Sequence, residues 1–482
     1  MTLFGWTGLF VTVGLACWSS EDAPAPAVTT SKPDVLLVVL DTVRPDMLST
    51  YGYHRPTSPQ LDAVAAAGVT FEDVTAPGSW TWPSHASLFT GVGPWEHGAH
   101  ASIKEEGVGL SGGHWGLLAM RSDLPTLAEQ FAEAGYRTVS LASNRFLDPK
   151  LGLTRGFDIA ETMHDAELAK RAVSLLDEPD SRPLFLFINI LLAHAPWEVY
   201  PAPWSMTHSE RLSSSETAPK WAHGFLMDEP PGIDFYEVPP GAQMGGFRQL
   251  MGGKLKIPDS DMPMIEDLYT GGITAADFLL NRILTQWTQT RPAGMVAITS
   301  DHGEYLGEHG LWEHGKTVFA EVVKVPLVIA APGRLPKAKR VDTAVAMHDL
   351  YDTLLDLADL KEQTPNSLVP VISGADRPGP IQAKAWASRP WRDSMGGIFS
   401  HDWSLYREGD HALIFSSNGD RMLYDVRQDP GMTQDLSATE TATLEALWLK
   451  AQTAFVDGGQ ATAEPEMSAE LIEELKALGY LE

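Results

Sequence analysis

Strand-like apolar runs in this chain repeatedly end on side chains that can bind a cation, and that pattern restricts the fold more than any other feature. Val35 to Leu40 is unbroken and rich in branched residues, as expected of a strand covered on both faces in a parallel sheet, and it stops at Asp41. Thr138 to Leu141 leads to Ser143, Asn144 and Arg145, Leu184 to Leu192 leads to His194, and Met295 to Ile298 delivers Asp301 and His302. Helical patterns fall between these runs, at Ala63 to Ala67, Leu127 to Ala134 and about Met264 to Trp287, and Val69 to Phe71 reads as a short strand. Alternating strand and helix signals predict an α/β fold, a mostly parallel sheet sandwiched by helices. In such sheets ligands bind beyond the carboxyl ends of the strands, so Asp41, Asn144, His194, Asp301 and His302 are placed to share one rim. Any one alone is more simply a cap, a turn residue or a structural histidine; their convergence on strand ends is what points to a site.

A further polar residue, Thr81, stands where a helix begins. Pro83 suits a first helical turn, Ala86 to Phe89 continues it and Gly91 can stop it, so the free N–H groups of a helix start lie near Thr81 and favour an anion. Asp41, Asp301 and His302 offer two hard oxygens and an imidazole, a set suited to one divalent ion such as Mg, Ca, Mn or Zn, and the Thr81 hydroxyl can complete it.

The 482 residues suffice for a large core and a smaller unit. Residues 34–374 read as the main catalytic domain. From residue 375 to 482 the texture changes to short strands at Trp403 to Arg407, Ala412 to Ser416 and Arg421 to Val426, a small antiparallel sheet, followed by an amphipathic helix from Ser468 to Leu478. Pro201 to about Asp259, rich in Pro, Gly, Met and Trp, reads as an insertion or lid whose Trp204, Trp221, Phe235 and Tyr236 either shape a pocket or form a small local core.

A formal net charge of −28 repels nucleic acid and anionic membranes, which excludes both as nonspecific partners. A small anionic substrate remains compatible if metal, Lys or His supplies local positive charge. Leu3 to Ala16 is free of charge yet shorter than the about 20 residues of a membrane span, so residues 1–17 read as an export signal and residues 18–33 as a linker. Gly14 Leu15 Ala16 Cys17 resembles a bacterial lipobox, which would lipidate Cys17 and give the protein its one route to a membrane. Gly14 stands where Leu is usual and no Lys or Arg precedes the run, which leaves ordinary signal cleavage open. The expected location is the cell envelope or periplasm.

Ser79 Trp80 Thr81 Trp82 Pro83 Ser84 His85, followed by an apolar run to Thr90 Gly91, resembles the signature of the sulfatase branch of the alkaline phosphatase superfamily. So do Asp41 Thr42 Val43 Arg44 Pro45 Asp46, Gly135 Tyr136 Arg137 Thr138, Ala193 His194 Ala195 Pro196, Ser300 Asp301 His302 Gly303 Glu304, Gly307 Glu308 His309 Gly310, His314 Gly315 Lys316 and Leu478 Gly479 Tyr480, all in family order. The resemblance implies an alkaline-phosphatase-like fold and a metal held by Asp41, Asp301 and His302, with Thr81 as a metal-bound nucleophile. It implies further that His194 and Lys316 act on the anionic oxygens and leaving group, with His314 assisting, and that Asn144 or Arg145 binds substrate in place of a family lysine.

Four departures occur together: Thr42 replaces a second Asp, His85 replaces an Arg, the family lysine is lost at the Asn144 and Arg145 segment, and Thr81 replaces the Cys or Ser that sulfatases convert to formylglycine. Threonine cannot become that aldehyde, so the expectation is an enzyme without formylglycine that uses a hydroxyl as encoded, on a sulfate, phosphate or phosphonate ester. A phosphoethanolamine- or phosphoglycerol-type transferase, and an inactive anion-binding envelope lipoprotein, are the alternatives.

Overall fold

A computed structural model describes residues 32–102, 116–195, 197–212, 219, 221, 255–361, 364–387 and 397–455. Its centre is an eight-stranded sheet made of β1 (Val35–Leu40), β2 (Val69–Phe71), β3 (Arg137–Ala142), β4 (Ile159–Thr162), β5 (Leu184–Ile190), β6 (Met295–Thr299), β7 (Leu327–Ala330) and β8 (Lys339–Val341). The order across it is β8-β2-β7-β6-β1-β5-β3-β4. Only β7 runs antiparallel to both neighbours; every other pairing is parallel. β1 therefore lies centrally between β5 and β6, with Val39 paired to Asn189 on one side and to Thr299 on the other. The three polar residues that follow these strands are thereby brought to one edge.

Alternation along β1 divides the core. Val35, Leu37 and Val39 pack with α2 (Thr81–Thr90), α3 (Leu127–Glu133) and α6 (Leu350–Leu357), whose Trp82, Phe89, Phe131 and Leu354 are fully buried. Leu36, Val38 and Leu40 face α1 (Pro59–Ala67), α4 (Asp165–Leu176) and α5 (Met262–Thr290) through Leu61, Leu168, Leu268 and Ile283. With both faces covered, an unbroken apolar strand is what the sheet requires.

The smaller antiparallel sheet has four strands, β9 (Ile381–Ala385), β10 (Trp403–Glu408), β11 (His411–Ser416) and β12 (Arg421–Asp425), in that order. Strand β9 is not evident in the sequence, because it follows a Pro- and Gly-rich stretch. One face packs on Val318, Phe319 and Val322, and the other on α7 (Thr441–Ala454) through Leu444 and Leu447. The helix expected at Ser468 to Leu478 lies outside the described residues, as do Phe235 and Tyr236 of the 201–259 segment. The described part of that segment forms two short helices, Pro203–Met206 and Ser209–Leu212. Its Trp221 is buried with Nε1 donating to Asp261 Oδ2 at 2.8 Å, a local core contact.

Candidate active site

Asp41 is the first residue past β1, and the chain turns sharply behind it. Thr42 has φ 61°, a left-handed conformation that a β-branched residue adopts only when its surroundings impose it. The imposing contacts are visible: Tyr269 of α5 donates its hydroxyl to Thr42 O at 2.7 Å, and Thr42 N–H donates to Asp301 Oδ1 at 3.3 Å. Val43 N–H donates to Ser300 Oγ at 3.0 Å, and Ser300 Oγ in turn donates to His302 O at 2.6 Å. The ends of β1 and β6 are thus tied, which sets Asp41 beside Asp301 and His302.

Thr81 is the first residue of α2, and Gly91 ends that helix at φ 74°. Its carbonyl lies 3.0 Å from His85 Nδ1, and His85 Nδ1 also lies 3.5 Å from Asp301 Oδ2. The Asn144 amide joins the two halves of the site, donating to Asp41 Oδ2 at 2.9 Å and to Thr81 Oγ1 at 3.0 Å. Asn144 Oδ1 accepts from Phe146 N at 3.0 Å. Both amide hydrogens of Asn144, expected from the sequence to face substrate, are directed at the Thr81 hydroxyl and the Asp41 carboxylate. Asn189, from the otherwise apolar β5, adds a second donor to Asp41 Oδ2 at 3.0 Å and accepts from Asn144 N at 3.1 Å. A lone amide inside Leu184–Ile190 was the signal for it.

Three atoms in this cluster, Asp41 Oδ1, Asp301 Oδ2 and His302 Nε2, are buried without a hydrogen-bond partner. Ligand atoms of the three residues all lie within 4.8 Å of one another. Burial pushes the Asp301 carboxyl up to about 7, and burial with the neighbouring Asp301 raises Asp41. Burial drives His302 down to about 4, leaving a neutral imidazole. Two crowded carboxylates and a neutral imidazole with vacant lone pairs match what a divalent cation requires, since unpaired buried polar atoms are otherwise costly. The donor set fits such an ion.

Beside this cluster lies the loop of His314 and Lys316. Gly315 N–H donates to Ser79 O at 2.7 Å, fastening the loop to the segment that carries Thr81. His314 is buried, its Nδ1 3.1 Å from Glu304 Oε1 and its ring centroid 4.3 Å from that of His302. Burial lowers His314 well below the usual histidine range and raises Glu304 well above the usual carboxylate range. The His194 ring lies 4.9 Å from His314, and its Nδ1 contacts Ala195 O. Lys316 is buried with Nζ 2.5 Å from Glu313 Oε2. Arg145 donates to Thr162 Oγ1 at 3.2 Å, at the end of β4. His309 stacks on Phe319 and pairs with Glu321, a packing role. Glu304 and Glu313, the partners of His314 and Lys316, had no role in the sequence reading because only folding reveals which base each one faces.

The Sulfatase family model matches residues 33–360, most of the chain. The chain belongs to the sulfatase family. It is accordingly an ester hydrolase of the sulfatase type. A delta 4,5-hexuronate-2-O-sulfatase of Bacteroides thetaiotaomicron is 24% identical over 443 residues, 86% of each chain. A sulfatase of Formosa agariphila is 23% identical over 385 residues, 70% of this chain and 71% of the relative. Among solved structures, a phosphonate monoester hydrolase of Agrobacterium radiobacter matches at TM-score 0.63 and 18% identity, covering 88% of this chain and 95% of that one. A protein solved with its substrate D-glucosamine-2-N,6-O-disulfate matches at TM-score 0.66 and 18% identity, covering 90% and 100%. These structural likenesses carry the sulfatase fold, a large mostly parallel sheet with a small antiparallel sheet towards the C-terminus.

Proposed function

We propose that the protein is an exported metallohydrolase that cleaves a sulfate, phosphate or phosphonate ester with the Thr81 hydroxyl as nucleophile. The observation that carries this reading is the Asn144 amide, which holds Thr81 Oγ1 and Asp41 Oδ2 at once, beside three orphaned ligand atoms. Asp41, Asp301, His302 and the Thr81 hydroxyl would hold one divalent ion. When bound, such an ion supplies positive charge that favours the ionised hydroxyl and neutralises the ester oxygens.

In this reading Thr81 Oγ1 forms a bond to the central phosphorus or sulfur while the bond to the leaving oxygen breaks. Asn144 donates to Oγ1, so the hydroxyl's own proton is the one that departs. A histidine, His194 or His314, takes that proton and passes it to the leaving oxygen. Glu304 orients His314 for this task, and Lys316 lies beside the same ring to hold non-bridging oxygens. Water then attacks the same central atom, the bond to Oγ1 breaks, and the Thr81 hydroxyl is restored. Threonine has no route to an aldehyde hydrate, so release depends on this second displacement, a familiar course for phosphoryl groups. That favours a phosphate or phosphonate ester over a sulfate ester, and the likeness of the fold to that of a phosphonate monoester hydrolase is consistent with it.

The intact triad argues against an inactive binding module. Export rests on the apolar Leu3 to Ala16 and on Cys17, within residues outside the described part. The test is a panel of sulfate, phosphate and phosphonate esters with the wild type and Thr81→Ala. Loss of at least about 1,000-fold in kcat is expected for the variant; unchanged hydrolysis would reject Thr81 as nucleophile.

A further inference from the structure

Glu313 has an unusual position for an acidic residue in an enzyme of anionic esters. Its backbone is left-handed, at φ 63°, and its carboxylate meets Lys316 Nζ at 2.5 Å. The side chain of Lys316 is 3% exposed and that of Glu313 is 19% exposed, so the pair is largely shielded from water and its charges are weakly screened. Lys316 Nζ also lies 3.4 Å from Trp312 O. The other acid near Lys316, Glu304, is occupied with His314. Arg44 is committed to Asp46 and Glu308, and Arg145 donates to Thr162. The ammonium available to an ester's oxygens in the described part of the site therefore already carries a carboxylate.

We propose that Glu313 determines the charge of the group this site accepts, admitting singly charged esters and discriminating against doubly charged ones. The proposal rests on the reading above that the His314–Lys316 loop faces the ester. Coulomb repulsion from a fixed carboxylate scales with the charge of what approaches, so a dianion suffers twice the penalty of a monoanion at the same place. Sulfate monoesters, phosphonate monoesters and phosphodiesters each carry one charge. A phosphate monoester carries two above its second pKa of about 6. Glu313 thus acts as a specificity-determining residue through Lys316: a monoanion can share the ammonium with the carboxylate, whereas a dianion must compete with it.

The test compares wild type with Glu313→Gln at about pH 8, where phosphate monoesters are dianions. Binding of dimethyl phosphate and of methyl phosphate is measured by calorimetry. Hydrolysis of methyl p-nitrophenyl phosphate and of p-nitrophenyl phosphate is measured in parallel. The expected result is that wild type favours the monoanion in both assays and that E313Q narrows the ratio by about 10-fold or more. An unchanged ratio in E313Q, or a wild type that binds the dianion more tightly, overturns the proposal. Should E313Q fail to fold, the wild-type preference alone still decides against the proposal if the dianion wins. Failure of the hydrolase reading looks different: Thr81→Ala would match wild type in rate, or no ester would be cleaved, while the binding ratio could still be read.

Discussion

Asn144 carries more of the site's geometry than its small, neutral side chain suggests. Its two amide hydrogens span the gap between a strand-end carboxylate and a helix-start hydroxyl, fixing Thr81 Oγ1 as an acceptor. Asn144→Ala should lower kcat by about 10- to 100-fold and weaken divalent-ion binding to a similar degree, as removal of an orienting partner commonly does. Calorimetric titration of the metal-free protein with the ion and steady-state kinetics check the two effects. Asn144→Asp should be more damaging, since it would set a third carboxylate against Asp41. Asp41, Thr81, Asp301 and His302 were legible in the sequence because each follows a strand or opens a helix, and strand ends in a parallel sheet share one edge. Asn144 was legible at its strand end but its bonds to Asp41 and Thr81 were not, because they depend on β3 and α2 meeting across more than sixty positions of chain.

At the scale of elements, α5 and α2 hold the site in place through contacts that tolerate little change. Gly272 of α5 approaches the chain just past β5 so closely that an added Cβ would lie 2.5 Å from Leu192 O. Gly272→Ala should cost about 1–3 kcal/mol of stability by forcing the helix away, measured by urea unfolding. The same displacement shifts the neighbouring His194 loop, so activity should fall as well. On the other face, buried His97 accepts from Ala99 N–H at Nδ1 and contacts Ser87 Oγ of α2 through Nε2 at 2.9 Å. Burial drives its pKa down from 6.5 to about 3, so the folded chain keeps it neutral. Its depressed value adds stability that is complete above 6.5 and lost as pH falls towards 3, because the unfolded chain takes up the proton first. Unfolding free energies between about pH 7 and pH 4 should fall less steeply for His97→Gln than for wild type. Parallel slopes would contradict this. The runs behind α2, α5, β5 and β6 followed from apolar patterning and punctuation, but β4, β7, β8, α4 and α6 were not read from it, nor were β9, which is short and follows Pro and Gly, and α7, whose apolar residues do not form a clear stripe.

For the molecule as a whole, a sheet covered on both faces places its reactive groups along one rim and leaves two buried carboxylates that need a positive partner. A divalent ion that binds the folded chain alone should raise its stability by about 4 kcal/mol at a thousand times its dissociation constant, read as a rise in unfolding temperature that a chelator reverses. The effect should vanish in a protein with both Asp41 and Asp301 changed to Asn. The central claim, that Thr81 takes the transferred group onto its own oxygen, is tested most directly by quenching the enzyme in acid during turnover of a reactive phosphate or sulfate ester and sequencing the peptides by mass spectrometry. The account predicts a phosphoryl or sulfuryl group on Thr81 in the peptide that carries it, absent from Thr81→Ala; rapid turnover with that peptide unmodified at every quench time would contradict it.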